Sequence, residues 1–325
     1  MPPELLPKRL QPKRPAPLPL RIALAATLAA LVLVPSSLAL HLAREKSLLT
    51  RQRSQLTDRA DQLGQRVSEL EHQLSDLQQR YDAVLSPAGP ERPDYESLYP
   101  DLYIPGAPTG EVRRGTAFLT FDDGPSPRTD EILTILREEN VKATFFVVGP
   151  DTPTRRERLQ RIAVEGHTIG VHSASHDYHK IYASVEDYLA DFYDAFTMAK
   201  EATGITPAIF RFPGGSINSY NRGIYQEIIA EMLRRGFVYY DWNVSSGDAV
   251  SRPLPVATLR DNVLIGSARQ SRPIILMHDS SPRTTTVQAL PEIIAGLREQ
   301  GFSLDSLNRD DLPVSFGYPT PAPET

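Results

Sequence analysis

Two adjacent carboxylates, Asp122 and Asp123, follow a strand-like run of apolar, aromatic and β-branched residues and precede a Gly-Pro turn. Carboxylates at the end of a buried strand cost free energy to desolvate unless a metal ion, a cationic partner or a shared proton compensates them. Because Asp-Gly-Pro is also ordinary turn chemistry, this pair alone leaves a structural and a chemical interpretation open.

Two histidines four residues apart, His172 and His176, follow a second strand-like run, residues 168–171. Imidazoles at this spacing lie on the same side of one helical turn and can converge on one ion. With one carboxylate from elsewhere they provide three ligands and leave a position for water, as a catalytic zinc site requires. The pair therefore favours a chemical interpretation of the carboxylates as well.

Two further segments bring a cation and a proton carrier to similar positions. Arg211 leaves an apolar run at a proline-glycine turn, where a bidentate contact can hold one aspartate ionised and oriented. His278 ends a hydrophobic strand-like run, and histidine is the side chain best suited to transfer a proton near neutral pH. Between them lie Trp242, Asp241 and Asp248, and one of these two acids is expected to orient His278.

These segments occur in the order of the five motifs of the polysaccharide deacetylases, the NodB-homology enzymes of carbohydrate esterase family 4. The resemblance covers residues 111–312 and is closest to the membrane-attached peptidoglycan N-acetyl deacetylases. Gly214 stands where many members carry tyrosine or phenylalanine, and Ala249 where many carry tryptophan. Both departures remove bulk from the rim of the expected groove. The matching segments are 120–124, 172–176, 211–213, 242–248 and 276–278.

The resemblance implies a divalent metal ion held by Asp123, His172 and His176. With no cysteine in the chain, a metal must be held by histidine and carboxylate. Zinc is the expected ion, and cobalt, nickel and manganese stay open because a nitrogen and oxygen site discriminates poorly by affinity alone.

The resemblance also implies roles in amide hydrolysis. Asp122 would take a proton from the attacking water, with Arg211 positioning it. His278, tuned by Asp248, would protonate the departing sugar amine as acetate is released. A backbone N–H near Pro213 would help the metal to stabilise the oxyanion. The substrate-binding residues implied are Pro213, Gly214, Trp242 and Leu276.

Strand-like and helix-like runs alternate through the region of the motifs, and repeated βα units predict a parallel sheet covered by helices. The motifs lie at the C-terminal ends of the strands, where barrel active sites are built. The resemblance refines this α/β prediction to a distorted, incomplete (β/α) barrel. The predicted strands are 117–121, 143–148, 168–171, 209–212, 237–240 and 273–277, and the predicted helices include 130–139, 155–165, 184–203, 223–235 and 285–300.

The N-terminal residues predict export of the catalytic domain. Residues 22–42 are almost wholly apolar and have the length of one membrane crossing, so we expect a transmembrane signal-anchor. The basic residues of the preceding segment, 1–21, predict that it stays in the cytoplasm. A cleaved signal peptide, with Ser37-Leu38-Ala39 as the small-x-small site, is the alternative, and it gives a secreted protein.

A row of leucines at seven-residue spacing predicts a coiled coil over residues 43–86 that pairs two chains in a homodimer. A single amphipathic helix packed on the catalytic domain is the alternative. Prolines then start a linker, 87–110, before the catalytic domain, 111–312. The proline-rich end, 313–325, is predicted to be a disordered tail. The leucines of the row are Leu49, Leu56, Leu63, Leu70 and Leu77.

The leading prediction is a metal-dependent hydrolase that removes N-acetyl groups from a cell-wall polysaccharide, with peptidoglycan strands as substrate. Chitin oligomers, an exopolysaccharide and acetylated xylan are alternative substrates. An inactive wall-binding scaffold and a non-haem iron oxygenase, which uses the same triad type, are alternative classes. The formal net charge of −5 gives no indication of nucleic-acid binding.

Overall fold

The computed structural model describes residues 94–317, together with helical residues 45–53, 55–57, 59, 63–64 and 66–67. The chain divides into two units between residues 92 and 93. The predicted basic segment and signal-anchor lie outside the described residues, and the coiled coil lies only partly inside them. Within the described ranges, no helix has the length and apolar character that crossing a bilayer requires.

In residues 94–317, strands and helices alternate. The strands are β1 (Thr116–Gly124), β2 (Thr144–Val148), β3 (Thr168–Ser173), β4 (Ile209–Phe210), β5 (Val238–Tyr239), β6 (Val244–Ser245), β7 (Ile274–His278) and β8 (Ser303–Asp305). The helices are α1 (Pro127–Glu138), α2 (Pro153–Val164), α3 (Tyr178–Ile181), α4 (Val185–Thr203), α5 (Tyr225–Arg234), α6 (Val256–Ser267) and α7 (Thr284–Glu299). A 3-10 turn, Tyr95–Ser97, precedes them.

All strand pairs in the described domain are parallel, and the strand order is β5-β4-β3-β2-β1-β7-β6, with β8 beside the start of β1. No pairing joins the edge strands β5 and β6 within residues 94–317, so the sheet does not close. The predicted parallel α/β fold is confirmed, and the open sheet agrees with an incomplete barrel. The transmembrane helix and the coiled coil stay predictions.

Strand β1 shows how the sequence positions the site. Its side chains alternate between the two faces of the sheet, as in any strand. Ala117, Leu119 and Phe121 join the larger hydrophobic core with the helices, whereas Phe118 joins a second cluster on the other face. Asp122 follows on the same face as Phe118, at the carboxyl end of the strand, and is 3 % exposed. The alternation therefore brings a buried carboxylate to the edge of the sheet.

Short elements were absent from the sequence prediction. Strands β6 and β8 have two and three residues, too few to show a period. Helix α6 buries a narrow face, chiefly Leu259 and Val263, so its amphipathic pattern is weak. The predicted helices otherwise match observed ones within a few residues, which is ordinary uncertainty at helix ends.

Both ends of the described domain pack beyond the predicted boundaries of 111 and 312. Leu102 and Ile104, in the predicted linker, are buried. The Arg235 guanidinium donates to backbone carbonyls of that segment, including the one of Leu102. At the other end, the carbonyl of Val314 accepts from the N–H of Asp241. The domain therefore uses neighbouring residues on both sides as part of its packing.

Candidate active site

Asp123 and His172 lie at the ends of β1 and β3, and His176 lies in the loop after β3. The predicted helical turn is therefore wrong, because His172 belongs to a strand, but the two imidazoles still converge. The Nε2 atom of His176 is 3.2 Å from Oδ1 of Asp123, and Nε2 of His172 is 3.7 Å from the same oxygen. One ligand atom from each residue lies within 4.8 Å of the others. Oδ1 of Asp123 is buried yet has no hydrogen-bond partner. An unpaired buried carboxylate oxygen facing two imidazole nitrogens is the donor set that a divalent metal ion requires.

The protonation of His172 suits a ligand. Its Nδ1 lies 2.7 Å from the carbonyl oxygen of Arg211, so Nδ1 carries the proton and Nε2 is free to bind an ion. Burial, with a smaller contribution from His176, lowers the pKa of His172 to about 3. The ring is therefore neutral at physiological pH, the form in which histidine binds metals. The three residues fit a divalent metal ion.

A buried carboxylate on α4 holds the loop of the second histidine. Asp191 accepts hydrogen bonds from the hydroxyl of Ser173 at 2.5 Å and from the N–H groups of Ala174 and Ser175 at 2.8 Å each. The Ser173 hydroxyl in turn accepts from the N–H of His176 at 2.8 Å. His176 has a φ of 53°, a left-handed conformation that is uncommon for residues other than glycine, although histidine adopts it more often than most. Asp191 therefore fixes the loop that supplies one of the three candidate ligand atoms.

Asp122 lies beside this cluster and is paired with Arg211, which is fully buried. Nη1 of Arg211 donates to Oδ1 of Asp122 at 2.9 Å and to the hydroxyl of Thr120 at 2.7 Å. The contact with the carboxylate uses one nitrogen and is therefore not the bidentate pair predicted from the sequence. Burial raises the pKa of Asp122 above its ordinary value, and the charges of Arg211 and His278 oppose that rise.

The remaining nitrogens of Arg211 bind the backbone of the next strand. Nε donates to the carbonyl of Tyr240 at 2.8 Å and Nη2 to that of Asp241 at 3.2 Å. The guanidinium carbon lies 4.3 Å from the ring centre of Phe146. Each of the three guanidinium nitrogens thereby has at least one hydrogen-bond partner, which offsets the cost of burying the cation.

His278 lies next to Asp122 because the two residues are register partners on β7 and β1. Of the two candidate acids, Asp248 contacts His278, with Oδ1 2.7 Å from Nδ1. Oδ2 of Asp248 accepts from the N–H of His278 and from the hydroxyl of Thr286, at 2.8 Å each. Burial alone would lower the pKa of His278, but the hydrogen bond and charge of Asp248 raise it above its ordinary value. The imidazole therefore holds a proton at Nδ1 and presents Nε2.

The other acid, Asp241, has a different position. Its carboxylate accepts from the N–H and hydroxyl of Ser216 and from the N–H of Phe316. It therefore ties the loop after β4 to the C-terminal segment and does not contact His278 through any of these bonds.

The predicted substrate-binding residues surround the same strand ends. Leu276 is the register partner of Thr120 and is buried. Trp242 is partly buried, and its ring centre lies 4.9 Å from that of Phe316. The carbonyl of Pro213 accepts from the hydroxyl of Tyr182 at 2.7 Å. Leu276 and Trp242 thus lie where they can form apolar walls.

Two glycines in the turn after Pro213 allow aromatic rings to approach from both sides. Gly214 and Gly215 have φ values of 77° and 86°, which glycine adopts without strain. A Cβ at Gly214 would lie 2.8 Å from Cε1 of Tyr178, and one at Gly215 would clash with the ring of Phe316. Tyr178 therefore occupies the space that a side chain at 214 would need.

The sequence analysis assigned no role to several residues that contact the site, although Thr120 and Ser173 lie within the matching motifs. These residues are Thr120, Ser173, Tyr182, Asp191, Asn218, Thr286 and Phe316. Of these residues, only Asp191 could have been identified from the sequence pattern. It interrupts the apolar face of α4 that Tyr188, Phe192 and Ala195 form. An acid at a core-facing position of a helix indicates a buried partner. The others are ordinary polar or aromatic residues whose contacts depend on the tertiary fold.

Comparison with known proteins agrees with this geometry. Residues 109–232 match the family model described as polysaccharide deacetylase. The chain is 33 % identical over 210 residues to the peptidoglycan-N-acetylglucosamine deacetylase of Bacillus cereus, covering 63 % of this chain and 74 % of that protein. It is 35 % identical over 187 residues to the bifunctional xylanase/deacetylase of Pseudobutyrivibrio xylanivorans, covering 57 % and 28 %.

A solved structure gives the same result for the fold. The catalytic domain of the peptidoglycan N-acetylglucosamine deacetylase from Eubacterium rectale is 35 % identical, with a TM-score of 0.61, and the match covers 66 % of this chain and 97 % of that domain. The open parallel sheet, the site at its carboxyl edge and these matches agree, and the chain belongs to the polysaccharide deacetylase family.

Proposed function

We propose that this polysaccharide deacetylase removes N-acetyl groups from the amino sugars of peptidoglycan and releases acetate, in a reaction that depends on a divalent metal ion. The observation that carries the proposal is the Asp123, His172 and His176 cluster beside Asp122 and His278. Relatives named as peptidoglycan deacetylases support the choice of substrate. We propose zinc as the ion, since histidine and carboxylate ligands suit it, and cobalt, nickel and manganese satisfy the same donor set.

The residues divide the proton transfers between them. A metal ion bound by the three ligands would supply a Lewis acid for the acetamide carbonyl and lower the pKa of water. Asp122, held by Arg211, is placed to accept the proton of the attacking water. His278 is placed to donate a proton to the departing amine nitrogen, with Asp248 maintaining its protonated form. Asp122 and His278 are neighbours across β1 and β7, so both can act on the same amide group of the substrate.

The turn after β4 provides a donor for the oxyanion. The carbonyl of Pro213 accepts from Tyr182 and from Nδ2 of Asn218, at 2.7 and 3.1 Å. The peptide between Pro213 and Gly214 is trans, so its C=O and N–H point in opposite directions. Its N–H therefore points away from Tyr182 and Asn218. We propose that this Gly214 N–H stabilises the tetrahedral oxyanion.

The test is acetate release from peptidoglycan, chitin oligomers and acetylated xylan, each with added zinc and with a chelator. We expect metal-dependent release from peptidoglycan that is lost in the Asp122→Asn variant. Release confined to chitin oligomers or xylan would reassign the substrate. Oxygen consumption, or a wall-binding activity indifferent to Asp122→Asn, would contradict a hydrolase and support an oxygenase or a scaffold.

We also propose that residues 22–42 anchor the protein in the cell membrane as a single pass, with the catalytic domain outside the cytoplasm, and that residues 43–86 pair two chains. The heptad spacing supports the pairing, and Leu49, Leu56 and Leu63 are 62–69 % exposed in the single chain. Sedimentation of the detergent-solubilised protein tests the pairing, because Leu56→Lys should convert dimer to monomer. A monomeric parent protein would refute it.

A further inference from the structure

We propose that Tyr178, His179 and Tyr220 form an aromatic ledge that binds the glycan chain beside the sugar undergoing deacetylation. This inference rests on the proposed function, since it assigns a second contact region to the same polysaccharide. It concerns residues outside the five motifs and outside the catalytic and metal-binding groups described above.

The ledge is continuous with the metal site. The ring centres of His176 and Tyr178 are 5.3 Å apart and perpendicular, and those of Tyr178 and Tyr220 are 5.0 Å apart. The imidazole of His179 lies edge-on to Tyr220 at 5.2 Å. A row of touching rings thus extends from a proposed metal ligand outwards, with spacings comparable to the length of one pyranose unit.

The outer part of the row is open to solvent, which core packing does not explain. Tyr220 is 50 % exposed and His179 is exposed, while Tyr178 is partly buried. Exposed aromatic residues are common singly, but a contiguous group at the rim of a catalytic site marks a binding surface. Its position next to the site selects the substrate chain as the occupant.

The backbone holds the rings in place before any ligand binds. Oδ1 of Asp177 accepts from the N–H of His179 at 3.0 Å, which fixes the start of α3. Oδ1 of Asn218 accepts from the N–H of Tyr220 at 2.8 Å, and its Nδ2 anchors the same loop to the carbonyls of Pro213 and Gly215. Because the loop is fixed by side-chain bonds, binding costs little ordering entropy.

Gly214 leaves space for the ring of Tyr178, the first residue of α3, beside the turn after Pro213. A side chain at residue 214 would occupy the position of the Tyr178 ring, whose Cε1 lies 2.8 Å from the site of such a Cβ. With glycine at residue 214, this space is open to the Tyr178 ring, which contacts Tyr220 in turn.

The chemistry of the ledge fits a neutral sugar chain. The axial C–H groups on one face of a β-linked pyranose can pack on an aromatic ring through dispersion, and a tyrosine hydroxyl can bond to sugar hydroxyls at the edge. These contacts are made with the faces and hydroxyls of the sugar rings, which chitin and peptidoglycan strands share. We infer that the ledge increases affinity for long oligomers over short ones.

The first experiment compares chain lengths in the full-length protein. For Tyr220→Ala, the ratio of kcat/KM on chitopentaose to kcat/KM on chitobiose should fall about tenfold, because one stacking contact is lost. Tyr220→Phe should keep most of the ratio. Tyr103→Ala is the matched control, since Tyr103 is 53 % exposed and lies outside the site. An unchanged ratio in Tyr220→Ala would overturn the proposal.

A binding measurement separates this inference from the proposed function. In the Asp122→Asn background, calorimetry with chitopentaose should give a Kd about tenfold weaker when Tyr220→Ala is added, with or without turnover in the parent protein. Equal Kd values would refute the ledge even in an active enzyme. A parent protein that binds through Tyr220 but releases no acetate would refute the proposed function and retain the ledge.

Discussion

Replacing Asp248 by asparagine should shift the pH dependence of the enzyme, because Asp248 supports the proton on His278. The substitution keeps the size of the side chain and removes its charge. In the parent protein both oxygens of Asp248 accept hydrogen bonds, and the pKa of His278 lies above its ordinary value of about 6.5. Activity should therefore persist above that pH and decline as His278 loses its proton.

The size of the shift follows from the geometry. The Asp248 side chain is 2 % exposed and that of His278 13 %, so solvent screens their 2.7 Å contact only weakly. A hydrogen bond to a charged group contributes roughly 1.5–3 kcal/mol. One pKa unit corresponds to about 1.36 kcal/mol, so the alkaline limb of the Asp248→Asn profile should move down by about one to two pH units.

The assay is the rate of acetate release from the best substrate, measured as kcat/KM from about pH 5 to 10. Glu231→Gln is the control, because Glu231 is a buried carboxylate paired with Arg234 and Arg235 away from the site. The Glu231→Gln variant should have the same alkaline limb in its pH profile as the parent protein. A reduced rate in Asp248→Asn at every pH, with the alkaline limb unmoved, would show that His278 is not the titrating acid.

Three further outcomes are expected. His176→Ala should abolish zinc binding in calorimetry, whereas Asp122→Asn should bind zinc and lose turnover; zinc loss in Asp122→Asn alone would reverse the two roles. Asp191→Asn should weaken zinc binding by about tenfold or more, because one of the two oxygens that accept from the loop becomes an NH2 group that cannot accept; unchanged affinity would show that Asp191 does not position His176. Gly215→Ala should lower the free energy of unfolding by about 1–3 kcal/mol in urea denaturation, since φ is positive and Phe316 blocks the Cβ; an unchanged midpoint would contradict the predicted strain.

The sequence was most informative where chemistry and strand ends coincide. Asp122, Asp123, His172 and His278 each follow a recognisable apolar run, so both their type and their place in a parallel sheet could be predicted. The partners that complete the site come from distant elements. Helix α4 supplies Asp191 to the loop after β3, and which acid meets His278 depends on how the loop before α6 returns to β7. Such contacts are set by tertiary packing, which local patterns do not encode.

The length of secondary structure also limited the prediction. Helix α4 was predicted with nearly correct bounds, whereas β1 continues three residues beyond the predicted end and includes Asp122 and Asp123. Strands β4 and β5 were predicted at the right positions but each two residues too long, and the two-residue strand β6 was not predicted. The position of the Tyr178 ring beside Gly214 could not be predicted either, because a glycine does not indicate which side chain occupies the space next to it.

The burial of Arg211 couples the assembly of the candidate active site to folding of the sheet. Its guanidinium joins β1, the end of β4 and the residues after β5, with no exposed surface. A partly assembled sheet would leave either this cation or Asp122 unpaired, at a cost of about 3–5 kcal/mol when the site is dry. Intermediates that lack one of these strands are therefore disfavoured, and a chain that has folded has already paired Asp122 with Arg211. If Asp122 is the base proposed above, a change at Arg211 affects the stability of the fold and the orientation of the base together.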